Sequence, residues 1–120
     1  MPLWYVVEEG PILRGWTYAA SQKARNLERD PRATLSIDDG VAYGELRGAM
    51  MECDVELERD AGRVAGYGLA LFKRYEGSED GELAPGVGEM VERQAPKRVG
   101  LRFVPTRTVT WDHRKLPKAY

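Results

Sequence analysis

The clearest hydrophobic pattern in the chain is a strict alternation between positions 51 and 58. Apolar side chains at the odd positions alternate with carboxylates at the even positions. This period of two predicts a strand with one buried and one solvated face, at the end of an extended segment from Val41 to Glu58. Cys53 lies on the apolar side and is predicted to be buried. Gly44 and Gly48 predict a bend or bulge earlier in the segment.

Four further runs of aromatic and β-branched residues predict strands. They cover residues 3–7, 12–18, 33–37 and 99–109, with turns at residues 8–11 and 38–40. Pro105 removes one backbone donor, which predicts an edge or a bulge in the last strand. Residues 110–120 show no pattern and are predicted to be irregular.

Three segments have the spacing of helices: residues 22–29, 60–75 and 87–94. Asp60 is the predicted cap of the second helix. Asp30 ends the first helix because the residue before a proline avoids the helical region. The helices are inserted between strands without regular alternation. This order predicts a mainly β, α+β fold, in which an antiparallel sheet curls into a small barrel with two or three helices at its periphery.

The start of the first helix is a candidate anion site. The first turn of a helix has unpartnered N–H groups and a partial positive charge. Lys23 and Arg25 therefore lie in the unfavourable half of their own helix, and a bound phosphate would reverse that penalty. The hydroxyls of Thr17 and Ser21 would add donors. The alternative is that Ser21 only caps the helix and that Lys23 points into water.

Composition narrows the function further. A chain of 120 residues with 42% apolar residues fits a single domain over 1–120. A net charge of -1 provides no field that would draw nucleic acid or a membrane. No signal peptide or membrane span is recognisable, and one cysteine permits no intrachain disulfide, which fits the cytoplasm.

Cys53 and His113 alone cannot assemble a metal site. His113 is a candidate general base, although such a histidine is more often exposed or at an interface.

The stretch WTYAASQKARNLERDPRATLSID resembles the pyridoxamine 5'-phosphate oxidase-like superfamily of FMN-binding split β-barrels. Members share an aromatic residue and Thr at a strand end, then Ser-x-Lys, an Asn-Leu helix and Asp-Pro-Arg. The matching positions are Trp16-Thr17, Ser21-Gln22-Lys23, Asn26-Leu27 and Asp30-Pro31-Arg32. The opening PLWYVV and the ending VTWDHRKL are also similar, so the resemblance covers nearly the whole chain.

The resemblance implies a split-barrel homodimer with the cofactor at the interface between subunits. Lys23, Ser21 and Thr17 would hold the flavin phosphate. Trp16 and the backbone of residues 4–6 would line the flavin, and Trp111 would reach the cofactor of the other subunit. The implied cofactor-binding set is Trp4, Tyr5, Val6, Trp16, Thr17, Ser21, Gln22, Lys23 and Trp111.

The chain departs from the family pattern in two ways. Gln22 stands where the oxidases proper have an arginine, and their substrate-binding Arg/His pattern is not recognisable. Family members also carry a helix and a strand ahead of PLWYVV, and both are expected to be absent here.

The function implied by the resemblance is that of an FMN-dependent oxidoreductase acting on a small organic substrate. The flavin would supply the reactivity, so no side chain is assigned as a catalytic acid or base. One alternative is a reductase of the same fold that uses the deazaflavin coenzyme, whose longer acidic tail would suit a basic surface. That surface comprises Arg98, Arg102, Arg107, Arg114 and Lys115. A second alternative is a non-enzymatic protein that binds flavin or haem.

Overall fold

The computed structural model describes residues 4–8, 12–40, 46–77, 83–112 and 114. In chain order the elements are β1 (Val6–Glu8), β2 (Ile12–Tyr18), α1 (Gln22–Arg29), β3 (Arg32–Asp39), β4 (Arg47–Glu58), α2 (Ala61–Glu76), α3 (Val87–Gln94) and β5 (Arg98–Asp112). A short 3₁₀ helix over Ala95–Lys97 joins α3 to β5.

All five strands belong to one antiparallel sheet with the order β1-β2-β5-β4-β3. The predicted antiparallel α+β class with peripheral helices is confirmed. Over the described residues the sheet is not closed, because its two outer strands, β1 and β3, do not pair with each other. The barrel is therefore open, and its two outer strand edges have no neighbouring strand within the described ranges.

The structure changes the predicted boundaries at both ends of the chain. β1 begins at Val6, so the prediction of a strand from position 3 is wrong for Trp4 and Tyr5. β5 continues through Asp112, although residues 110–112 were expected to be irregular, because β4 supplies a partner for each of them. The predicted turn at 9–11, the segment 41–45 with Gly44, and His113 lie outside the described residues.

The core lies on one face of the sheet, which we call the inner face. The side chains of Met51, Cys53 and Val55 are buried there, as their alternation predicts. Leu27 of α1 packs into the same cluster. Burial raises the pKa of the Cys53 thiol, because the thiolate loses solvation away from water. The opposite, outer face carries the carboxylates of β4, and α2 covers it beside β2 and β5.

A bulge in β5 changes which of its later residues point to the inner face. Beyond the bulge, the even-numbered residues point inward, whereas before it the odd-numbered ones do. Glu52 pairs with Arg107 but Cys53 pairs with Pro105, so Thr106 is an extra residue in the ladder. The Thr106 hydroxyl donates to the carbonyl of Glu52 at 3.0 Å. The prediction of a bulge near the proline is confirmed. Pro105 also lies beyond Phe103, the last residue of β5 that pairs with a described residue of β2. The bulge predicted at Gly48 is not found there, because Gly48 pairs in regular register with Asp38 of β3 and Trp111 of β5.

Candidate functional site

The predicted anion site at the start of α1 is assembled around Ser21. Its Oγ accepts a hydrogen bond from the Ala24 N–H at 3.1 Å, so Ser21 caps the helix as predicted. The Thr17 and Ser21 hydroxyl oxygens lie 3.5 Å apart. The first turn of α1 contains no acidic residue. The start of the helix therefore joins two hydroxyls to N–H groups that have no intrahelical acceptor.

Gln22 lies beside this corner but does not face it. Its Nε2 donates to Asn26 Oδ1 at 2.8 Å, which holds the side chain along the exposed surface of α1. The amide of Gln22 is thereby occupied by a neighbour on its own helix. Of the Ser21-Gln22-Lys23 triplet, Lys23 is the residue that enters a groove.

A groove of about 470 Å³ opens where β2, α2 and α3 meet. We call it the aromatic groove, and its lining residues are Trp4, Trp16, Tyr18, Lys23, Phe72, Met90, Gln94 and Arg98. Three predicted site residues, Trp4, Trp16 and Lys23, therefore share one surface. The volume lies within the range of about 300–1,000 Å³ that is typical of small-molecule sites.

Stacked and edge-on rings build one wall of the aromatic groove. The Trp4 ring stacks on Tyr75 with centroids 4.7 Å apart and meets Phe72 edge-on at 5.7 Å. Phe72 also meets Trp16 edge-on at 6.5 Å. On its other side the Trp16 indole lies against the backbone of Gly68. These contacts leave little rotational freedom to the aromatic side chains, so the wall is organised before any ligand arrives.

Two positive charges lie in the aromatic groove, and no described carboxylate pairs with either. They belong to Lys23 and Arg98. The Arg98 guanidinium carbon lies 3.7 Å from the centroid of the Tyr18 ring and 4.7 Å from that of Trp16. Cation–π contacts thus hold the side chain in place. Its Nε is buried and has no hydrogen-bond acceptor in the described part of the chain, which is unfavourable unless a ligand or a water molecule supplies one.

Thr17, whose hydroxyl oxygen lies 3.5 Å from that of Ser21, is on the other face of β2 from the aromatic groove. Neighbouring residues of a strand point to opposite faces, so Thr17 lies on the inner side while Trp16 and Tyr18 lie on the outer side. Lys23 lines the aromatic groove and also a second, mainly apolar groove of about 290 Å³ next to Leu27 and Phe103. Lys23 therefore borders both the aromatic groove and this apolar groove.

The other predicted site residues lie outside the aromatic groove. The Tyr5 backbone N–H donates to the Tyr75 hydroxyl at 3.2 Å, and its ring lies under the guanidinium of Arg74. Val6 pairs with Arg14 in the β1–β2 ladder. Of the segment from Trp4 to Val6, only Trp4 contributes to the lining.

Trp111 lies at the opposite end of β5. It pairs with Gly48, whereas the groove residue Trp16 pairs with Gly100. Eleven residues of strand separate positions 100 and 111, which corresponds to roughly 36 Å at about 3.3 Å per residue. Within one chain Trp111 therefore cannot contact a ligand in the aromatic groove.

Sequence reasoning missed five residues of the aromatic groove: Tyr18, Phe72, Met90, Gln94 and Arg98. The spacing of residues 60–75 predicts only that Phe72 belongs to a helix, and Arg98 is predicted only as part of a basic surface. Arg98 enters the groove because it lies directly opposite Tyr18 in the β2–β5 ladder. No local signal in the sequence indicates that pairing, since 79 positions separate the two residues along the chain.

The remaining described surface has fewer features of a binding site. A shallow polar groove of about 480 Å³ crosses β3 and β4, but its Asp30 is paired with Arg32. Among the described residues, no three His, Cys, Asp or Glu side chains are arranged to hold a metal ion. None of the described helices is long and apolar enough to cross a membrane.

Comparison with known proteins gives a match among solved structures. No family model matches the sequence, and no curated protein matches it. The conserved hypothetical protein Rv2991 from Mycobacterium tuberculosis superposes with a TM-score of 0.81 and is 38% identical, covering 95% of this chain and 68% of that chain. An F420 reductase superposes with a TM-score of 0.62 at 24% identity, covering 89% of this chain and 75% of that one. The chain belongs to the same family as Rv2991, and it shares the fold of the F420 reductase.

A more distant split-barrel structure shows the same fold. It is a Listeria innocua protein assigned as a pyridoxamine 5'-phosphate oxidase, with a TM-score of 0.57 and 15% identity, covering 90% of this chain and 73% of that chain. At this identity the likeness concerns the fold alone. The resemblance first carried by the segment from Trp16 to Arg32 is thus confirmed at the level of the split-barrel fold.

Proposed function

We propose that this split-barrel protein binds FMN in the aromatic groove and acts as an FMN-dependent oxidoreductase on a small organic substrate. One observation carries the proposal. The aromatic groove combines fixed indole and phenyl rings with two cations, Lys23 and Arg98, that have no carboxylate partner in the described chain. A planar, phosphorylated ligand satisfies both features at once.

Lys23 and the start of α1 would hold the phosphate. The Ser21 Oγ already accepts from the Ala24 N–H, so its own O–H remains a donor. The first two helical amides, those of Gln22 and Lys23, have no carbonyl within the helix to bind. Together with the Lys23 ammonium group and the Thr17 hydroxyl, these donors match the oxygens of a phosphate.

Trp4, Trp16 and Phe72 would hold the planar ring system of the cofactor. Bound FMN supplies hydride or electron transfer, a chemistry that no side chain of the described groove provides. The role of the chain is then to orient the ring, to limit its contact with water and to leave space for a substrate. The aromatic contacts described above favour this role because they fix the wall in advance.

The deazaflavin coenzyme is a second candidate, because a structurally similar protein is an F420 reductase. The basic surface once expected to favour it is mostly neutralised. Arg102 pairs with Glu8 and Glu56, Arg107 with Glu52, and Arg114 with Asp112. Arg98 remains as the unpaired cation of the described part of that surface. The second candidate therefore rests mainly on the comparison.

We also propose that the protein works as a homodimer. After the bulge at Thr106, the outer face of the sheet carries Met50, Val109 and Trp111 side by side. Met50 is 37% and Val109 40% exposed, which is unusual for large apolar residues lying together on a sheet. A partner covering this patch, which we call the distal patch, would bring its own Trp111 towards the first subunit.

Spectroscopic titration of the purified protein tests the cofactor assignment. Increasing amounts of FMN, and separately of F420, are added while the absorbance of the cofactor is recorded. FMN binding at micromolar concentration supports the first candidate, and selective binding of F420 supports the second. If neither compound binds at micromolar concentration, the proposed function is wrong.

Turnover must be tested separately from binding. The FMN-loaded protein is reduced with dithionite, freed of excess reductant and mixed with quinones and nitroaromatic compounds as acceptors. Reoxidation faster than that of free reduced FMN supports an oxidoreductase. Tight binding of flavin or haem without faster reoxidation of the flavin by any acceptor would indicate a binding protein instead.

A further inference from the structure

Two buried polar atoms in the aromatic groove have no hydrogen-bond partner among the residues that the structure describes. They are Oε1 of Gln94, the last residue of α3, and Nε of Arg98, the first residue of β5. Both side chains line the groove. Buried polar atoms in native proteins are nearly always paired, so unpaired ones indicate a missing partner such as a ligand or a water molecule.

The two atoms differ in chemistry, and this difference restricts the ligand. The Arg98 Nε–H can only donate, while the Gln94 Oε1 can only accept. The rings of Tyr18 and Trp16 hold the guanidinium in place, so the donor cannot turn to solvent without losing both contacts. A carboxylate or phosphate offers acceptors alone and would leave Oε1 unpaired. An N–H next to a C=O, as in an imide, satisfies both.

We propose that Gln94 and Arg98 bind the imide edge of the cofactor ring. Gln94 Oε1 accepts from the ring N3–H, and Arg98 donates to the adjacent ring carbonyl. This inference rests on the proposed function, since it takes a flavin-type ring as the ligand. FMN and the deazaflavin coenzyme carry the same imide edge, so the assignment holds for either cofactor. Gln94 and Arg98 then determine which way the ring faces in the aromatic groove.

The competing explanation is that Gln94 and Arg98 satisfy each other. They lie four positions apart, on either side of the 3₁₀ helix over Ala95–Lys97, and both line the same groove. In that case neither residue would distinguish ligands that differ only at the imide edge. Ligand discrimination therefore separates the two explanations, whereas a simple loss of affinity on mutation would not.

The experiment compares lumiflavin with N3-methyllumiflavin, using the quenching of flavin fluorescence to measure both dissociation constants. Wild type is expected to bind the methylated ring about tenfold more weakly, because the methyl group removes the donor to a buried acceptor. Gln94→Ala removes that acceptor and leaves room for the methyl group. It should bind lumiflavin about tenfold more weakly than wild type and show almost no discrimination.

Lys97→Gln is the matched control, because Lys97 is exposed and adjacent to Arg98 but lies outside the aromatic groove. It should retain the wild-type discrimination. Arg98→Gln should weaken both ligands, with thermal unfolding confirming that each variant is folded. If Gln94→Ala discriminates as strongly as wild type, the inference is wrong while the proposed function stands. If wild type binds neither lumiflavin nor FMN, both are wrong.

Discussion

The indole of Trp16 lies directly against the backbone of Gly68 in α2. A Cβ atom placed at position 68 would lie 2.6 Å from Cη2 of the indole, well inside van der Waals contact. Gly66, two positions earlier in the same helix, has nothing within 4 Å of such an atom. Gly68 thus allows α2 to pack against the Trp16 indole, whereas Gly66 makes no such contact.

Gly68→Ala is expected to push the indole out of position. Forced overpacking of this kind lowers the free energy of unfolding by about 1–3 kcal/mol, and FMN affinity should fall with it. Gly66→Ala should instead raise the free energy of unfolding by up to about 1 kcal/mol, because alanine favours the helix. Denaturant unfolding and FMN titration of both variants provide the measurement. Equal behaviour of the two variants would contradict the packing seen at Trp16.

Substitutions of Ser21 separate helix capping from phosphate binding. Ser21→Ala removes the cap and should lower the free energy of unfolding by about 1 kcal/mol. Ser21→Asp retains a capping oxygen and places a favourable negative charge at the helix start, so stability should be kept. The same charge repels a phosphate, so FMN binding should be lost. Retention of FMN binding in Ser21→Asp would show that the phosphate lies elsewhere.

Lys23→Ala tests the proposed phosphate contact by comparing FMN with riboflavin, which lacks the phosphate. The variant is expected to lose about tenfold or more in FMN affinity, the usual order for a charge-assisted hydrogen bond. Its riboflavin affinity should change little. Arg25→Ala, an exposed cation on the same helix, is the control and should leave both affinities unchanged. A parallel loss of both ligands in Lys23→Ala would argue against a phosphate contact.

The raised pKa of Cys53 predicts a loss of stability in alkali. Above its ordinary value of 9.0 the unfolded thiol releases its proton, while the buried thiol keeps it, so unfolding becomes more favourable as pH rises. The contribution is fully present below pH 9.0 and is lost as pH rises through the higher folded value. Denaturant unfolding at a series of pH values should show this decline. Cys53→Ala should be less stable at neutral pH but decline less steeply above pH 9.0.

Val109→Lys tests the proposed dimer, because it places a charge in the distal patch. The wild-type chain is expected to sediment as a dimer, and the variant as a monomer with weakened FMN binding. Thr110→Lys is the control, since Thr110 is exposed but points to the other face of β5. A monomeric wild type that binds FMN normally would remove the role proposed for Trp111.

Most of the local structure was readable from the sequence. The predicted bounds of β2, α1 and α3 agree with the structure. Asp60 caps α2 by accepting from the Arg63 N–H at 3.0 Å, as its residue type predicts. These features depend on neighbours within a few positions, such as a cap, a proline or an alternation of polarity. The same is true of the hydroxyl pair of Thr17 and Ser21.

Local patterns in the sequence do not predict which side chains of β5 point to the inner face. Simple alternation from Leu101 and Phe103 places Val109 and Trp111 on the inner face, whereas the bulge at Thr106 turns them outward. Pro105 indicates an irregularity but not which strand carries the extra residue. That choice depends on the long ladder between β4 and β5, whose pairs lie about fifty positions apart.

By itself, the sequence determined the helix start with Ser21 and Lys23, because capping and the orphan amides of a first turn are local properties. It also indicated the split-barrel fold, through a family resemblance carried by residues that are close together along the chain. Only the tertiary structure decided what Lys23 faces. The pairing of β2 with β5 brings Arg98 opposite Tyr18, and the contact at Gly68 brings α2 onto Trp16. The aromatic groove therefore forms only when distant segments pack together, because its aromatic rings and the charge of Arg98 come from segments that are far apart in the sequence.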